Sequence, residues 1–220
     1  MVLTFENVRN NSAIQTYIAK ADEALSALGY TEHSFPHVLR VCHDATYILE
    51  TLGYSKHEIE LVKIAGYMHD IGNLVNRVDH SQSGAVMAFR ILDKMGMDPD
   101  DIASIVSTIG NHDEGTGVPI NAMAAALILA DKSDVRRSRV RNDDTSTFDI
   151  HDRVNYSVKE SKLEIDESHE NITLILSIDT EYGSVMDYFE IFMNRMMMCR
   201  KAAEKLGLHF KLIINGQHLI

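Results

Sequence analysis

Gly66-Tyr67-Met68-His69-Asp70-Ile71-Gly72 ends an apolar run with two adjacent metal-binding side-chain types followed by a glycine. On a regular helix neighbouring residues point about 100° apart, so His69 and Asp70 can serve one site only where the helix frays, which Gly72 permits. Upstream, Ser55 and Glu58 have capping-box spacing, and Ile59, Val62, Ala65, Tyr67 and Met68 follow at core spacing. A helix from Lys56 to about Asp70 is predicted.

The same periodicity extends on both sides of this helix. Ile14, Tyr17, Ile18, Ala21, Leu25 and Leu28 form a stripe ended by Gly29, and a second helix is predicted from Ser34–Pro36 to Leu52. Downstream, a polar loop from Gly72 to Asp79 leads to a helix over His80–Lys94, and Asp98-Pro99-Asp100 opens another that runs to Ile109. Gly110 to Pro119 carries too many breakers for an element, and Asn121 caps a final apolar helix to about Asp134.

Beyond Arg139 the pattern changes. Arg141 to Thr147 is polar and unpatterned, dividing the chain into a helical domain, 1–145, and a small α+β unit, 146–220. In the second unit Val154, Tyr156 and Val158 alternate with polar residues, as do Leu163 and Ile165 and then Ile172 to Ile178, which predicts a hairpin. A helix over Ser184–Leu206, with Val185, Phe189, Phe192, Met193, Met196 and Ala203 on one face, precedes a strand at Phe210–Ile214. Met196-Met197-Met198 is expected to fill gaps in the core. The fold class is mainly α: a helical bundle followed by an α+β layer.

Composition narrows the partners. With 45% hydrophobic and 24% charged residues and no apolar run near ~18, the chain is not expected to enter a membrane. Twenty-one basic against 32 acidic residues give −11, a poor match to a nucleic-acid backbone. Met1 to Asn11 lack the pattern of a leader, so a cytoplasmic location is expected. The cysteines, Cys42 and Cys199, have no metal-site spacing and are expected to be buried thiols. The apolar faces of the second unit are expected to pack on the first or to form a homodimer, with dimerisation favoured.

The chemistry concentrates at His37, His69-Asp70, His80, His112 and Asp131, each at a helix end or in a neighbouring loop. Such positions can converge inside a bundle, and a His/Asp set without thiolates suits iron, manganese, zinc or nickel. Asp131 follows a buried apolar run and requires a cation as partner, either a metal, Lys132 or an arginine downstream.

His37, His69-Asp70 with Gly72, and the distant Ala130-Asp131 resemble the H…HD…D signature of the HD-domain metal-dependent phosphohydrolases, over roughly residues 30–140. The resemblance implies an all-α HD fold in which His37, His69, Asp70 and Asp131 bind a first divalent metal. His80 and His112 resemble the further ligands of two-metal members, with Asp70 as bridge; magnesium joins the candidate ions. His112 to Pro119 is also similar to the HD-GYP subgroup, known for cyclic-di-GMP hydrolysis. It departs from that pattern at Asn111, Val118 and Asn73 and in the short spacing from Asp70 to His80.

The implied activity is hydrolysis of a phosphomonoester or phosphodiester in a small nucleotide-like molecule by water activated on the metal. Asp70, His33 and Lys132 are the catalytic candidates. His33 stands one turn before His37 if that helix extends so far, and is otherwise a cap residue. Lys132, Arg136, Arg137, Arg139 and Arg141 form a basic run suited to substrate phosphate, or simply to a helix C-terminus. Two other classes share the scaffold: a non-catalytic ligand-sensing module, disfavoured by the complete ligand set, and a di-iron oxygenase.

Overall fold

The structure, a computed structural model, describes residues 3–220, so Met1 and Val2 of the stretch read above for a leader lie outside the described residues. Helices α1 (Phe5–Arg9), α2 (Ser12–Ala27), α3 (Phe35–Thr51) and α4 (Lys56–Met68) are followed by a 3-10 turn, Ile71–Leu74. Then come α5 (His80–Lys94), α6 (Pro99–Gly110) and α7 (Ala122–Ser133). After short 3-10 turns at Arg137–Arg139 and Thr145–Thr147, the chain forms α8 (Ile150–Ser157), β1 (Val158–Ile165), β2 (Asn171–Ile178), α9 (Val185–Lys205), β3 (His209–Ile214) and β4 (Gln217–His218). No described helix is long and apolar enough to cross a membrane.

The helix starts follow their capping residues. The Ser55 side chain accepts from the Glu58 N–H while Glu58 reaches back to Ser55, and Ser184 and Asp187 do the same on α9. Asp98 accepts from Asp100 and Asn121 from Ala124. Because every residue of α7 from Met123 to Ala130 is buried, this helix lacks a polar face and must be wrapped on all sides. α3, α4, α6 and α9 pack against it, so residues of the C-terminal unit belong to the same apolar cluster as the bundle. The sheet order is β1-β2-β3-β4: β1 and β2 form an antiparallel hairpin, α9 connects β2 to a parallel β3, and β4 turns back on β3. Cys42 and Cys199 are free and buried, and burial pushes each thiol up to about 12.

Several expectations are corrected. Val154 and Tyr156 lie in α8, not in a strand, because Asp149 caps a helix by accepting from the Asp152 N–H. Arg137 then donates to the Tyr156 carbonyl at 2.6 Å and lies 4.3 Å over its ring. Tertiary contacts here override the alternating pattern. On α9 the buried seam is Tyr188, Phe192, Met196, Cys199 and Ala203, a face rotated from the expected one. Phe189 is only half-buried and Met193 is exposed. Met196 and Met198 fill the core, but Met197 points outward. The loop after Asp70 begins as a 3-10 turn, and the short α1 and β4 were not anticipated.

Gly72 controls where α5 starts. A Cβ at this position would stand 1.9 Å from the His80 carbonyl oxygen and 2.4 Å from the Gly84 nitrogen, so only glycine lets the two backbones meet. Gly72→Ala is accordingly expected to destabilise the fold by more than about 2 kcal/mol and to displace His80. Urea unfolding measures this, and a midpoint equal to that of the parent protein contradicts it.

Candidate metal centre

The ends of four helices and one loop deliver the site. His37 sits in the first turn of α3, His69 caps the C-terminus of α4, and Asp70 leaves the helix with φ −98° and ψ 1°. This departure from helical geometry turns the two neighbours toward one point. Asp79, left-handed at φ 56°, a conformation aspartate tolerates, starts α5 so that His80 is its first residue. His112 follows the end of α6, and Asp131 lies in the last turn of α7.

All six side chains come together in two adjoining groups. In the first, His37 Nε2 is 3.3 Å from His69 Nε2, 3.3 Å from Asp131 Oδ1 and 3.6 Å from Asp70 Oδ2. His69 Nε2 lies 3.3 Å from the same Asp70 oxygen. In the second, Asp70 Oδ1 is 3.4 Å from His80 Nε2 and 3.9 Å from His112 Nε2, and those nitrogens are 3.2 Å apart. Asp70 thus presents one oxygen to each group, and the ligand atoms meet the spacing of a metal site.

The outward nitrogens decide what this arrangement can hold. Nδ1–H donates to Asp134 Oδ2 in His37 (2.8 Å), to the Gly66 carbonyl in His69 (2.8 Å), to the Arg77 carbonyl in His80 (3.1 Å) and to the Ile109 carbonyl in His112 (2.6 Å). Carbonyls and carboxylates only accept, so each Nδ1 carries its proton, and any of these rings, when it carries no second proton, turns an Nε2 lone pair inward. Four lone pairs and two carboxylates aimed at one place repel unless a cation lies among them. The donor set fits a divalent first-row ion, and the His–acceptor pairs are the support such ligands need.

The titration shifts have the same origin. Burial works against a charged His69, but Asp70 and Asp131 outweigh it and raise this imidazole to about 10. Asp70 and Asp131 are held well below the usual carboxylate range despite burial, Asp70 chiefly by His69 and Asp131 chiefly by Lys132. Burial depresses His80 and His112, with Arg77 and His69 respectively adding to the effect.

Of the expected catalytic and phosphate-binding residues, some face this centre and some do not. His33 is not on α3, which begins at Phe35, and its side chain does not cap that helix; Nδ1–H donates to Thr31 and the ring stands edge-on to His37 at 5.4 Å. Burial, and then Arg139, keep it neutral. Lys132 Nζ is 2.7 Å from Asp131 Oδ2 and 3.2 Å from Glu114, and Asp131 and Glu114 raise its pKa against burial. Arg139 is buried, with Nε and Nη1 donating to the Glu32 and Asp134 carbonyls. These three residues line a cavity that reaches Asp70, His80 and Asp131. Arg136 and Arg137 do not line it. Arg136 is bound by Asp134 and Glu32, and Arg137 by Tyr156 and Asp179. Arg141 pairs with Asp22 on the surface.

Sequence reasoning missed Asp134, Arg77 and Arg195. Asp134 lies three residues after Asp131, a spacing that could have drawn notice; it orients His37 and takes ion pairs from Arg136, Arg40 and Arg139. Burial opposes its charge, yet the His37 hydrogen bond and Arg139 hold it far below the usual carboxylate range. Glu114, held at about 2 against burial by Lys132 and Arg195, joins the bundle to α9.

Comparison with known proteins identifies the family. The family model of the HD domain matches residues 35–144, half of the 220-residue chain, and the chain belongs to that family. It is similar to an uncharacterized protein of Methanocaldococcus jannaschii, 24% identical over 199 residues that span 80% of this chain and 76% of the relative. A crystal structure of a predicted HD superfamily hydrolase from an uncultured Thermotogales bacterium shares 25% identity and covers 56% of this chain and 67% of its own, with a TM-score of 0.44.

Asp134→Asn keeps the volume but removes the charge that fixes the His37 proton. Affinity for Mn²⁺ or Zn²⁺, measured by competition with a chromogenic chelator, should fall by about 10- to 100-fold. Unchanged affinity would deny Asp134 this role.

Proposed function

We propose that this chain is a metal-dependent phosphohydrolase that cleaves a phosphomonoester or phosphodiester of a small, nucleotide-like molecule, using one or two divalent ions. The observation that carries the reading is the inward convergence of four imidazole lone pairs on the two oxygens of Asp70, beside a cavity lined by cations. His37, His69, Asp70 and Asp131 would hold one ion, and Asp70, His80 and His112 a second. When bound, such ions supply Lewis acidity, lowering the pKa of a coordinated water from ~15.7 toward ~7 and offsetting charge on phosphoryl oxygens.

The protein's own groups supply the rest. Asp70 holds both halves of the site in one register. Lys132 fixes the second oxygen of Asp131, pairs with Glu114 and keeps one N–H donor for the cavity, where a phosphate oxygen can accept it. Arg139 is anchored through two of its nitrogens, so its guanidinium meets an anion already oriented, at little entropic cost. His33, kept neutral beside these cations with Nδ1–H spent on Thr31, keeps Nε2 as an acceptor, so at the cavity wall it can take a proton or a hydrogen bond from water or a substrate hydroxyl. Divergence from the HD-GYP pattern at Asn73, Asn111 and Val118 favours substrates other than cyclic dinucleotides.

Asp70→Ala tests this directly. With Mn²⁺ or Fe²⁺ supplied, turnover of p-nitrophenyl phosphate and bis-p-nitrophenyl phosphate should fall about 10³-fold or more, since the bridging ligand of both groups is lost. Undiminished turnover refutes the enzyme reading and leaves the sensing module in its place.

A further inference from the structure

The cavity at the candidate metal centre, about 10 Å³, adjoins a cleft of about 390 Å³ lined by Tyr30, Asn155, Asp149 and Asp152, among others. His33, Arg77, Arg139 and Arg195 line both spaces and so form the neck between them. Arg195 and Asn155 belong to the C-terminal unit, beyond the residues matched by the HD family model.

Each guanidinium at the neck is fixed from behind. Arg195 Nε donates to Glu114 Oε1 at 2.6 Å and its plane lies 4.5 Å over the Phe192 ring. Arg77 donates to Asn73 at 3.3 Å and stands 5.5 Å over Tyr30. Arg139, 4% exposed, spends Nε and Nη1 on carbonyls, and among the described residues its Nη2 has no hydrogen-bond partner. Three oriented guanidiniums at one constriction repel one another and are relieved by an anion, which planar forks grip through paired hydrogen bonds. Farther out the sign reverses at Asp149 and Asp152. Buried Asn155 is positioned there by donating to the His151 carbonyl at 2.9 Å, which leaves its amide oxygen as an acceptor at the cleft. A second phosphate would meet carboxylates, whereas hydroxyl or amino groups would find acceptors.

We propose that the C-terminal unit completes the substrate site, with Arg195 joining Arg77 and Arg139 to grip a single phosphate while the acid-lined outer cleft selects a polar, non-anionic alcohol portion such as a sugar or nucleoside. This rests on the phosphohydrolase reading and specifies its substrate class: a monophosphate ester without a second anionic group. Arg195 is thereby a phosphate-binding residue supplied from outside the helical bundle.

The test measures binding and turnover separately. The full chain, first chelator-treated and then loaded with Mn²⁺, is titrated calorimetrically with inorganic phosphate, ribose 5-phosphate, ribose 1,5-bisphosphate, adenosine 5′-monophosphate and adenosine 3′,5′-bisphosphate. At least one monophosphate ester is expected to bind tenfold or more tighter than inorganic phosphate, and its bisphosphate counterpart tenfold weaker than the monoester. Arg195→Gln should weaken all phosphate-bearing probes about tenfold, with partial recovery in Arg195→Lys. Asn155→Ala should weaken the esters but not inorganic phosphate. If Arg195→Gln does not fold, Arg195→Lys and Asn155→Ala still decide the matter. Bisphosphates binding as tightly as monoesters, esters binding no better than inorganic phosphate, or variants that leave every affinity unchanged overturn the proposal. This binding pattern without p-nitrophenyl phosphate turnover would sink the hydrolase reading alone; turnover without the pattern would sink the specificity proposal alone.

Discussion

The mutual repulsion of groups forced into one buried corner is the constraint around which this protein is built. Four rings direct their Nε2 atoms inward, each held there by an acceptor behind it, and two carboxylates share the same space. Left alone, such a cluster costs several kcal/mol for each uncompensated charge. The protein offsets part of this with Lys132 against Asp131 and arginines against Asp134, and a bound cation would satisfy the remainder.

Holding the cluster together demands rigidity from parts of the chain far from it in sequence. α7 carries Asp131 and Lys132 at its last turn, and its position depends on being packed by α3, α4, α6 and α9. The Gly72–Gly84 approach anchors α5 against the turn after Asp70, which keeps the second pair of imidazoles within reach of the first. Helix ends are suited to such a site because the chain can leave regular geometry there, as Asp70 does, while the helix behind it stays fixed.

The cluster of candidate ligands was legible in sequence because its residues are chemically distinctive and stand at helix boundaries that caps and glycines mark. His37, His69, Asp70, His80, His112 and Asp131 all meet as their types and positions implied. Contributions set by tertiary placement were not legible. Arg195 stands in a methionine-rich helix with no local feature that ties it to Glu114, and Arg136 resembles Arg139 until its Nε and Nη2 are seen to hold both Asp134 carboxylate oxygens away from the cavity that Arg139 lines. Val154 and Tyr156 alternate as a strand would, yet Asp149 and Arg137 draw them into α8. Charge in a basic run reveals affinity for anions in general, and only packing distinguishes a carboxylate of the protein from a phosphate of a ligand.

The sheathing of α7 by α9 has one more consequence. A helix greasy on every side cannot be left bare, so the tail is not a detachable accessory that a lineage could swap to acquire new chemistry. Divergence would have to proceed by retouching α8 and α9 in place, trading guanidiniums and carboxylates at the entrance while the apolar seam beneath them stays constant. Descendants of this architecture should therefore vary at the doorway and stay alike along the seam between α7 and α9.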